Sequence, residues 1–548
     1  MVAPRRPRSD LPTVVVHWCL VGTLIFSLVT GLRIAADMPD SSWAKAVSGV
    51  LPQGNVIVWH LWSAIGFLGL CAAYIVFLWR AGLFSRIALS GAVFKQLTGS
   101  EGAQLQWRAV NIVVYWLAFL SLIIAGITGI LMDLFPSALP FASIALVHQI
   151  SAWSIPVYIA VHIAALALYG GIWQVLKIVR PVPAYSVAAG AAFVAGGALA
   201  AGYYGLETVS DQALTLRKMS DLPKLDGQPD DLVWSSLDQI IIPTMRGANA
   251  PGGEIDVSVR AGYSGGYFYG LFQWPDENRS QKHLPLQKTE EGWKVVQTEF
   301  GIQDEDDYYE DKFGVMLAAG GGVAGNGSIH LGDKPLDGKP GPSGGRGLHY
   351  TTDGSIVDVW HWKSVRSGNA IMNQIDDNYF GAPMKPKAKG RYTGGYTKDP
   401  SDGGGFYMNW EGYSDGIVTP KRLPKDPSLL DQFQSVDLDP NAGDAVALFM
   451  SEADTVEFDP TLDTYPVGTI MPAVIIKGEF VGDRGDVTAV SKWMNGIWSM
   501  EVKRKLDTGS DYDIAFKKGT PTYLWVGAFN HAQTRHSQHL RPVTVTVE

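Results

Sequence analysis

The stretch from Phe141 to Lys177, FASIALVHQISAWSIPVYIAVHIAALALYGGIWQVLK, is apolar enough to cross a bilayer, yet it holds two histidines, His148 and His162. A spacing of fourteen residues is nearly four helical turns, which puts both imidazoles on roughly one face, about 21 Å apart along the axis. In a hydrocarbon core about 30 Å thick, one histidine then lies near each surface. Polar groups at such depths are costly and mark function by default. Two imidazoles stacked in this way suit one axial ligand each for two haems, one above the other. The plainer alternative is two histidines bonded to backbone carbonyls in a helix bundle, and the rest of the chain has to discriminate.

Charge divides the 548 residues in two. Up to Ser210 there are 11 Lys and Arg against 6 Asp and Glu, a net of +5; beyond it there are 33 against 47, a net of −14. The first part reads as a membrane domain, the second as an acidic soluble domain large enough for its own core. Only Cys19 and Cys71 occur, both inside apolar spans, so there is no disulfide framework, no zinc spacing and no C-x-x-C-H for covalent haem attachment. Any haem is expected to be b-type, held by axial ligands and packing.

Five apolar stretches read as spans: Leu11–Ile34, Asn55–Trp79, Trp107–Met132, Phe141–Lys177 and Ala184–Tyr204. Arg5, Arg6 and Arg8 precede the first, Arg80, Arg86, Lys95 and Arg108 follow the second, and Lys177 and Arg180 follow the fourth. By the positive-inside rule the N-terminus is cytoplasmic, and five spans deliver the acidic domain outside, which in a bacterium is the periplasm. The first span is too long for a cleaved signal and lacks a small-residue cleavage site.

His17 then lies near the inner start of span one and His60 near the outer start of span two. Span four runs inward, so His148 is near the outer surface and His162 near the inner one. Matching depths pairs His17 with His162 and His60 with His148, each pair from different helices. Structural histidines or a proton path are the competing readings. Glycines 22, 31, 66, 69, 126 and 129 would let a flat porphyrin, or equally a neighbouring helix, approach. Arg33 suits a haem propionate or an interface anchor.

These features, His-Trp early in span one, Thr30-Gly31 at its far end, a histidine opening span two and two histidines fourteen apart in span four, resemble the bacterial b561-type cytochromes and the cytochrome b subunits of nickel-iron hydrogenases. The resemblance covers about the first 180 residues. It implies a four-helix di-haem bundle that moves electrons between quinones and partners, with the fifth span as an addition.

From about Asp221 the pattern changes to short alternating runs broken by glycine, such as EIDVSVRAGYSGGYFYGLFQW, KFGVMLAA and SIVDVWHWKSV. This predicts an antiparallel β-sandwich. No phosphate-binding glycine loop, G-x-S-x-G or metalloprotease helix stands out, and dispersed basic residues in an acidic domain argue against nucleic acid. The histidines are His283, His330, His349, His361, His531, His536 and His539. His361 shares a strand face with Val357 and Val359 and reads as a satisfied core histidine; the run QDEDDYYED reads as a solvated loop without EF-hand spacing.

The strings YFYGLFQWPDENRS, EDKFGVML, DVWHWKSVR, GIWSMEVKRKL and YLWVGAFNHAQTRHS resemble the haem-binding domain typified by the γ subunit of ethylbenzene dehydrogenase, over most of Leu232–Glu548. The resemblance implies one b haem with Met and Lys as axial ligands. Here the Met position corresponds best to His330 in IHLGD and the Lys position to His536 in RHS, so it implies bis-histidine ligation. His349, His361 and His539 are substitutes, with Met245 and Lys477 weaker. Losing a thioether ligand lowers the expected potential and puts acceptance of electrons from a molybdenum enzyme in doubt.

The expectation is therefore an all-α membrane bundle (1–180), a fifth transmembrane helix and linker (181–220) and an all-β sandwich (221–548). The cofactors would be two membrane b haems on His17, His162, His60 and His148 and one outer b haem on His330 and His536. Such a chain sits in a bacterial inner membrane, among lipid. It joins quinone or quinol to a periplasmic electron-transfer protein or oxidoreductase subunit, and quinol oxidoreductase activity is open. A metal-ion reductase and a membrane-anchored ligand-binding protein without redox role are the alternatives.

Overall fold

The computed structural model describes residues 6–36, 50–52, 56–99, 101–136, 138–209, 212–297, 307–322, 330–332, 348–351, 353–382, 396–533 and 536–548. The chain separates into two compact units that meet in sequence at Ser210 and Asp211.

The first unit is helical: α1 (Leu11–Ala36), α2 (Val56–Arg80), a short α3 (Gly91–Leu97), α4 (Ala103–Leu134), α5 (Phe141–Gly170) and α6 (Ser186–Val209). All but α3 are long and apolar enough to cross a membrane. Asp10 caps α1, its carboxylate accepting the Thr13 N–H at 2.9 Å. The helix expected to run to Lys177 stops at Gly170, because Gly171 takes φ +71, which breaks the helical ladder.

The segment before α1, the connection after α2 and the one after α5 gather at one end of this unit. Ser9 and Asp10 pair in parallel with Pro181 and Val182. Arg86 bonds Asp10 at 2.9 Å, and the Trp18 indole donates to the Ile178 carbonyl at 3.2 Å. The arginines of these segments therefore share one end.

Helix α6 packs on α2 where two glycines meet: a Cβ on Gly196 would lie 2.5 Å from the Gly69 carbonyl oxygen. Only bare backbone permits that approach.

The second unit is built on one twelve-stranded sheet. Its strands are β1 (Ala213–Lys218), β2 (Gln239–Thr244), β3 (Ile255–Ser264), β4 (Tyr267–Pro275), β5 (Lys312–Ala318), β6 (Val357–Lys363), β7 (Asp376–Phe380), β8 (Tyr396–Lys398), β9 (Thr488–Met494), β10 (Ile497–Lys505), β11 (Thr522–Phe529) and β12 (Val543–Val547). The order is β8-β7-β6-β5-β11-β12-β1-β3-β4-β10-β9, with β2 on β3. The sheet curls over so that its halves face each other. Trp274 of β4 stacks on Phe313 of β5 at 4.4 Å, and Trp362 of β6 meets Trp498 of β10 edge-on at 5.0 Å. Such aromatic pairs add about 0.5–1.5 kcal/mol each beyond burial.

The sheet departs from the expected antiparallel pattern at β1, which pairs in parallel with both β12 and β3. This strand also lies inside the stretch expected to be linker. Its buried Leu214 and Leu216 follow strand alternation, but in so short a run beside a long apolar helix they read as helix end. A second cluster, around Leu286, Trp293, Phe433, Met471 and Ile475, is covered by smaller sheets.

Candidate functional site

In the helical unit, α2 presents His60 and α5 presents His148, and the two rings approach to 6.2 Å between centroids with planes 76° apart. Two metal–nitrogen bonds of about 2.0 Å plus the half-widths of two imidazoles come to about 6 Å. The separation leaves room for one metal ion between the two imidazoles.

The tautomers are fixed by hydrogen bonds. His60 Nδ1 lies 3.0 Å from the Ser27 carbonyl oxygen and 3.1 Å from Thr30 Oγ1. A carbonyl can only accept, and the Thr30 hydroxyl already donates to Phe26 O at 2.8 Å, so Nδ1 carries the proton and Nε2 the lone pair. His148 repeats this on α4: Nδ1 meets Ala125 O and Thr128 Oγ1, each at 3.0 Å, while Thr128 donates to Ile124 O at 2.7 Å. The next residue completes each cradle. A Cβ on Gly31 would stand 3.1 Å from His60 Cε1, and one on Gly129 3.5 Å from His148 Cε1. The matching strings, SLVTG in α1 and AGITG in α4, form a repeat of which only the first copy stands out in the sequence.

His17 and His162 are close enough to interact electrostatically. His162 packs beside Tyr158 at 5.4 Å and its Nδ1 is buried without a hydrogen-bond partner among the described residues. Arg33 is buried rather than splayed at an interface. At the end of α4, Asp133 accepts a 2.5 Å hydrogen bond from Tyr203 of α6, a carboxylate that sequence reasoning passed over.

In the β unit, one row across three strands joins His361 of β6, Gly314 of β5 and Gly527 of β11. The two glycines leave bare backbone beside His361, flanked by Val359, Met316 and Trp525 on one side and Phe529 on the other. Phe529 packs on His361 at 5.4 Å and on His536 at 4.8 Å. Gly527 is required, since a Cβ there would lie 2.4 Å from Ser537 O and 2.8 Å from His536 Nδ1.

Ser537 anchors this segment. It is fully buried, and its N–H donates to Ala528 O at 2.8 Å. Its Oγ accepts from Ala528 N–H at 3.1 Å and lies 2.7 Å from Thr244 Oγ1, which donates to Ile255 O at 2.6 Å. His536 Nδ1 lies 2.7 Å from Ser537 O, which again puts the proton on Nδ1 and the lone pair on Nε2.

The other histidines sort by their partners. His539 is excluded as a substitute ligand, because Nε2 accepts from Val526 N–H at 2.9 Å and Nδ1 donates to Arg541 O at 2.6 Å. His361 was expected to be satisfied, yet its Nε2 is buried without a hydrogen-bond partner among the described residues. Burial, with the ammonium groups of Lys363 and Lys312, holds its pKa well below the usual value and keeps the imidazole neutral. His330 and His349 fall on a two-stranded ribbon whose register pairs His330 with Tyr350 and Leu331 with His349; their side chains lie outside the described residues. Met245 is buried, bridging Gln538 through its backbone, and Lys477 is exposed on a separate strand.

The acidic run is not a solvated loop over its described part. Glu310 and Asp311 are fully buried. Glu310 pairs with Arg366, and Asp311 accepts from the N–H groups of Ser280 and His531 and from the Trp498 indole.

Residues 231–541, more than half of the chain, match the family model for ethylbenzene dehydrogenase. The chain belongs to the ethylbenzene dehydrogenase family. Residues 8–181 match the model for prokaryotic cytochrome b561, so this family member carries that domain fused to a membrane cytochrome. No curated protein matches the chain. Similar solved structures include a family 9 carbohydrate-binding module from Caldicellulosiruptor kristjanssonii with glucose, at 8% identity and TM-score 0.22, covering 62% of this chain and 96% of that one. The same module with cellotriose gives 8%, 0.21, 62% and 95%.

The b561 match implies haem b in the membrane unit of this ethylbenzene dehydrogenase family member. The residues fit it: His60 and His148, with ring centroids 6.2 Å apart and both Nδ1 atoms committed to helix carbonyls, would hold it.

Proposed function

We propose that this chain is a membrane electron carrier with three b haems. Two would lie in the helical unit, on His60 with His148 and on His17 with His162, and a third in the β unit, on His536 with His330. Electrons would pass between the quinone pool, or another membrane donor, and a redox partner outside the membrane. The observation that carries the reading is the 6.2 Å approach of His60 and His148 with both Nδ1 atoms committed to helix carbonyls.

A bound haem b supplies a reversible one-electron couple. The chain's own residues do the rest. Ser27 O with Thr30, and Ala125 O with Thr128, orient the imidazoles and raise their basicity. Ser537 and Gly527 fix His536 in the same manner. Histidine on both sides leaves no open coordination position, which favours electron transfer over substrate chemistry at the metal. The gathering of the arginine-bearing segments at one end supports a cytoplasmic N-terminus, five spans and a periplasmic β unit in a bacterial inner membrane.

The test is a pyridine haemochrome count on the purified full chain and on His60→Ala, His162→Ala and His536→Ala, followed by reduction with a quinol. Three b haems in the parent and one fewer in each variant are expected. No haem at all would sink the reading; two haems unaffected by His536→Ala would confine the cofactors to the membrane.

A further inference from the structure

Outside any haem site, the β unit contains an unbalanced group of buried carboxylates. In the β6–β7 register Trp360 faces Asp377 and Asp358 faces Tyr379, so Asp358 and Asp377 are diagonal neighbours on one face of the sheet. Asp513, from the connection between β10 and β11, completes a triad whose ligand oxygens lie within 4.8 Å of one another. Asp358 and Asp377 are fully buried, and the Asp513 side chain is 2% exposed.

In each carboxylate, donors of the protein satisfy one oxygen. Asp358 Oδ2 accepts from Ile514 N–H at 3.1 Å and lies 3.0 Å from Arg504 Nη2. Asp377 Oδ1 accepts from Asn378 N–H at 2.9 Å. Asp513 Oδ2 accepts from Thr508 Oγ1 at 2.5 Å and lies 2.9 Å from Arg504 Nη2. The second oxygens, Asp358 Oδ1, Asp377 Oδ2 and Asp513 Oδ1, are buried with no N–H or hydroxyl donor among the described residues, as are both oxygens of Asp399 and Oδ1 of Asp486. The carboxyl–carboxyl contacts of Asp399 with Asp513, and of Asp486 with Asp377 and Asp513, become hydrogen bonds only if a proton is shared. A buried, unpaired carboxylate oxygen is expensive, and several turned toward one another are more so.

Among the described residues Arg504 is the cation that pairs with the triad, and it also serves the face of Trp360 at 5.3 Å. Within those residues one guanidinium faces three aspartates, with Asp399 and Asp486 beside them. Burial, and repulsion from neighbouring carboxylates, raise the pKa values of Asp377 and Asp399.

We propose that Asp358, Asp377 and Asp513 hold a divalent cation, with calcium as the chemical match and Asp399 and Asp486 in its surroundings. The donors are all carboxylate oxygens, which select hard cations and disfavour zinc or copper. Calcium takes six to eight oxygens at about 2.3–2.6 Å, so oxygens up to about 5 Å apart can share one ion. The ion would tie β6, β7 and the β10–β11 connection together. Magnesium demands tighter octahedral geometry and keeps several waters, which suits a dry multi-aspartate site less well. The haem reading is independent of this one.

The test uses the full chain in detergent after exhaustive chelation. Terbium is added, tryptophan is excited, and Ca2+ and Mg2+ are titrated in competition. In parallel, unfolding of the β unit is followed with and without Ca2+. Expected are sensitised terbium emission displaced by Ca2+ at concentrations at least about tenfold below those needed with Mg2+, a higher unfolding temperature with Ca2+, and loss of both effects in Asp377→Asn. Should that variant fail to fold, the parent chain decides alone. No sensitised emission and no Ca2+-dependent stabilisation of the parent would overturn the proposal and assign the cluster to shared protons. Equal displacement by Mg2+ would overturn the calcium assignment.

Discussion

His60 and His148 face each other from different helices with ring planes 76° apart. An imidazole held on a haem iron would split the two iron d orbitals that overlap with its π system, and two nearly perpendicular planes would cancel that splitting. The loaded chain should therefore show a highly anisotropic low-spin ferric signal in frozen-solution electron paramagnetic resonance, and the signal should vanish in His148→Ala. A conventional rhombic signal from this centre would mean that the ligand planes are close to parallel.

The threonine cradles invite a milder substitution. Thr30→Val keeps the shape and the Ser27 carbonyl but removes the hydroxyl acceptor beside His60 Nδ1. Outer partners of metal-bound histidines are typically worth about 10–100-fold in metal affinity. Haem at this position should wash out about tenfold more readily, and its midpoint potential should rise because the imidazole is less basic. Thr128→Val should do the same through His148, and a redox titration checks both.

Ser537→Ala separates positioning from coordination in the β unit. The substitution strips the acceptor from one buried donor, Ala528 N–H, and removes a hydroxyl partner from Thr244, whose own hydrogen is committed to Ile255 O. An unsatisfied buried donor costs about 1–3 kcal/mol. The β unit should unfold at lower denaturant, and the haem count should fall by the one lost in His536→Ala while the membrane haems remain. Loss of stability with a full haem count would make Ser537 purely structural.

Acid should weaken the β unit in two steps. His283 is buried, and burial together with Arg366 pulls its pKa down to about 4, against the pull of Glu310 3.2 Å away. Unfolded histidine takes its proton near pH 6.5, so between about 6.5 and 4 the unfolded chain binds more protons and stability falls as pH falls. A difference of about two pKa units corresponds to about 3 kcal/mol. For Glu310, burial alone would raise the pKa, but Arg366, His283 and the Val365 N–H outweigh it and hold the carboxyl well below its usual value. Its contribution is present above about pH 4.5 and is lost below that. Melting curves from pH 7 to 4 should show the first loss, and His283→Gln should flatten it.

Helix and strand periodicity made the two architectures readable. A long apolar run suits a membrane helix and little else, and a two-residue alternation suits a strand with one buried face. Depth along a span was readable for the same reason, and it is depth that brings His60 level with His148. The second cradle was harder to see, since Thr128 and Gly129 acquire meaning only when α4 lies against α5. In the β unit the limits are sharper. His539 stood as a substitute ligand until its Nε2 was found to accept the Val526 N–H. Strand β1 hid in the expected linker, and Glu310 and Asp311 hid in a run whose charge density suggests solvent. Asp358 and Asp377 are nineteen residues apart, and only the β6–β7 pairing makes them neighbours.

The glycine crossing of α2 and α6 has a mechanical side. At Gly69 and Gly196, α6 is wedged backbone to backbone against the helix that bears His60. A shear between the two helices is therefore borne at that wedge, about two and a half helical turns along α2 from the imidazole. Displacement of α6 against α2 is thus transmitted along the backbone that carries His60 instead of being absorbed by side-chain rotation.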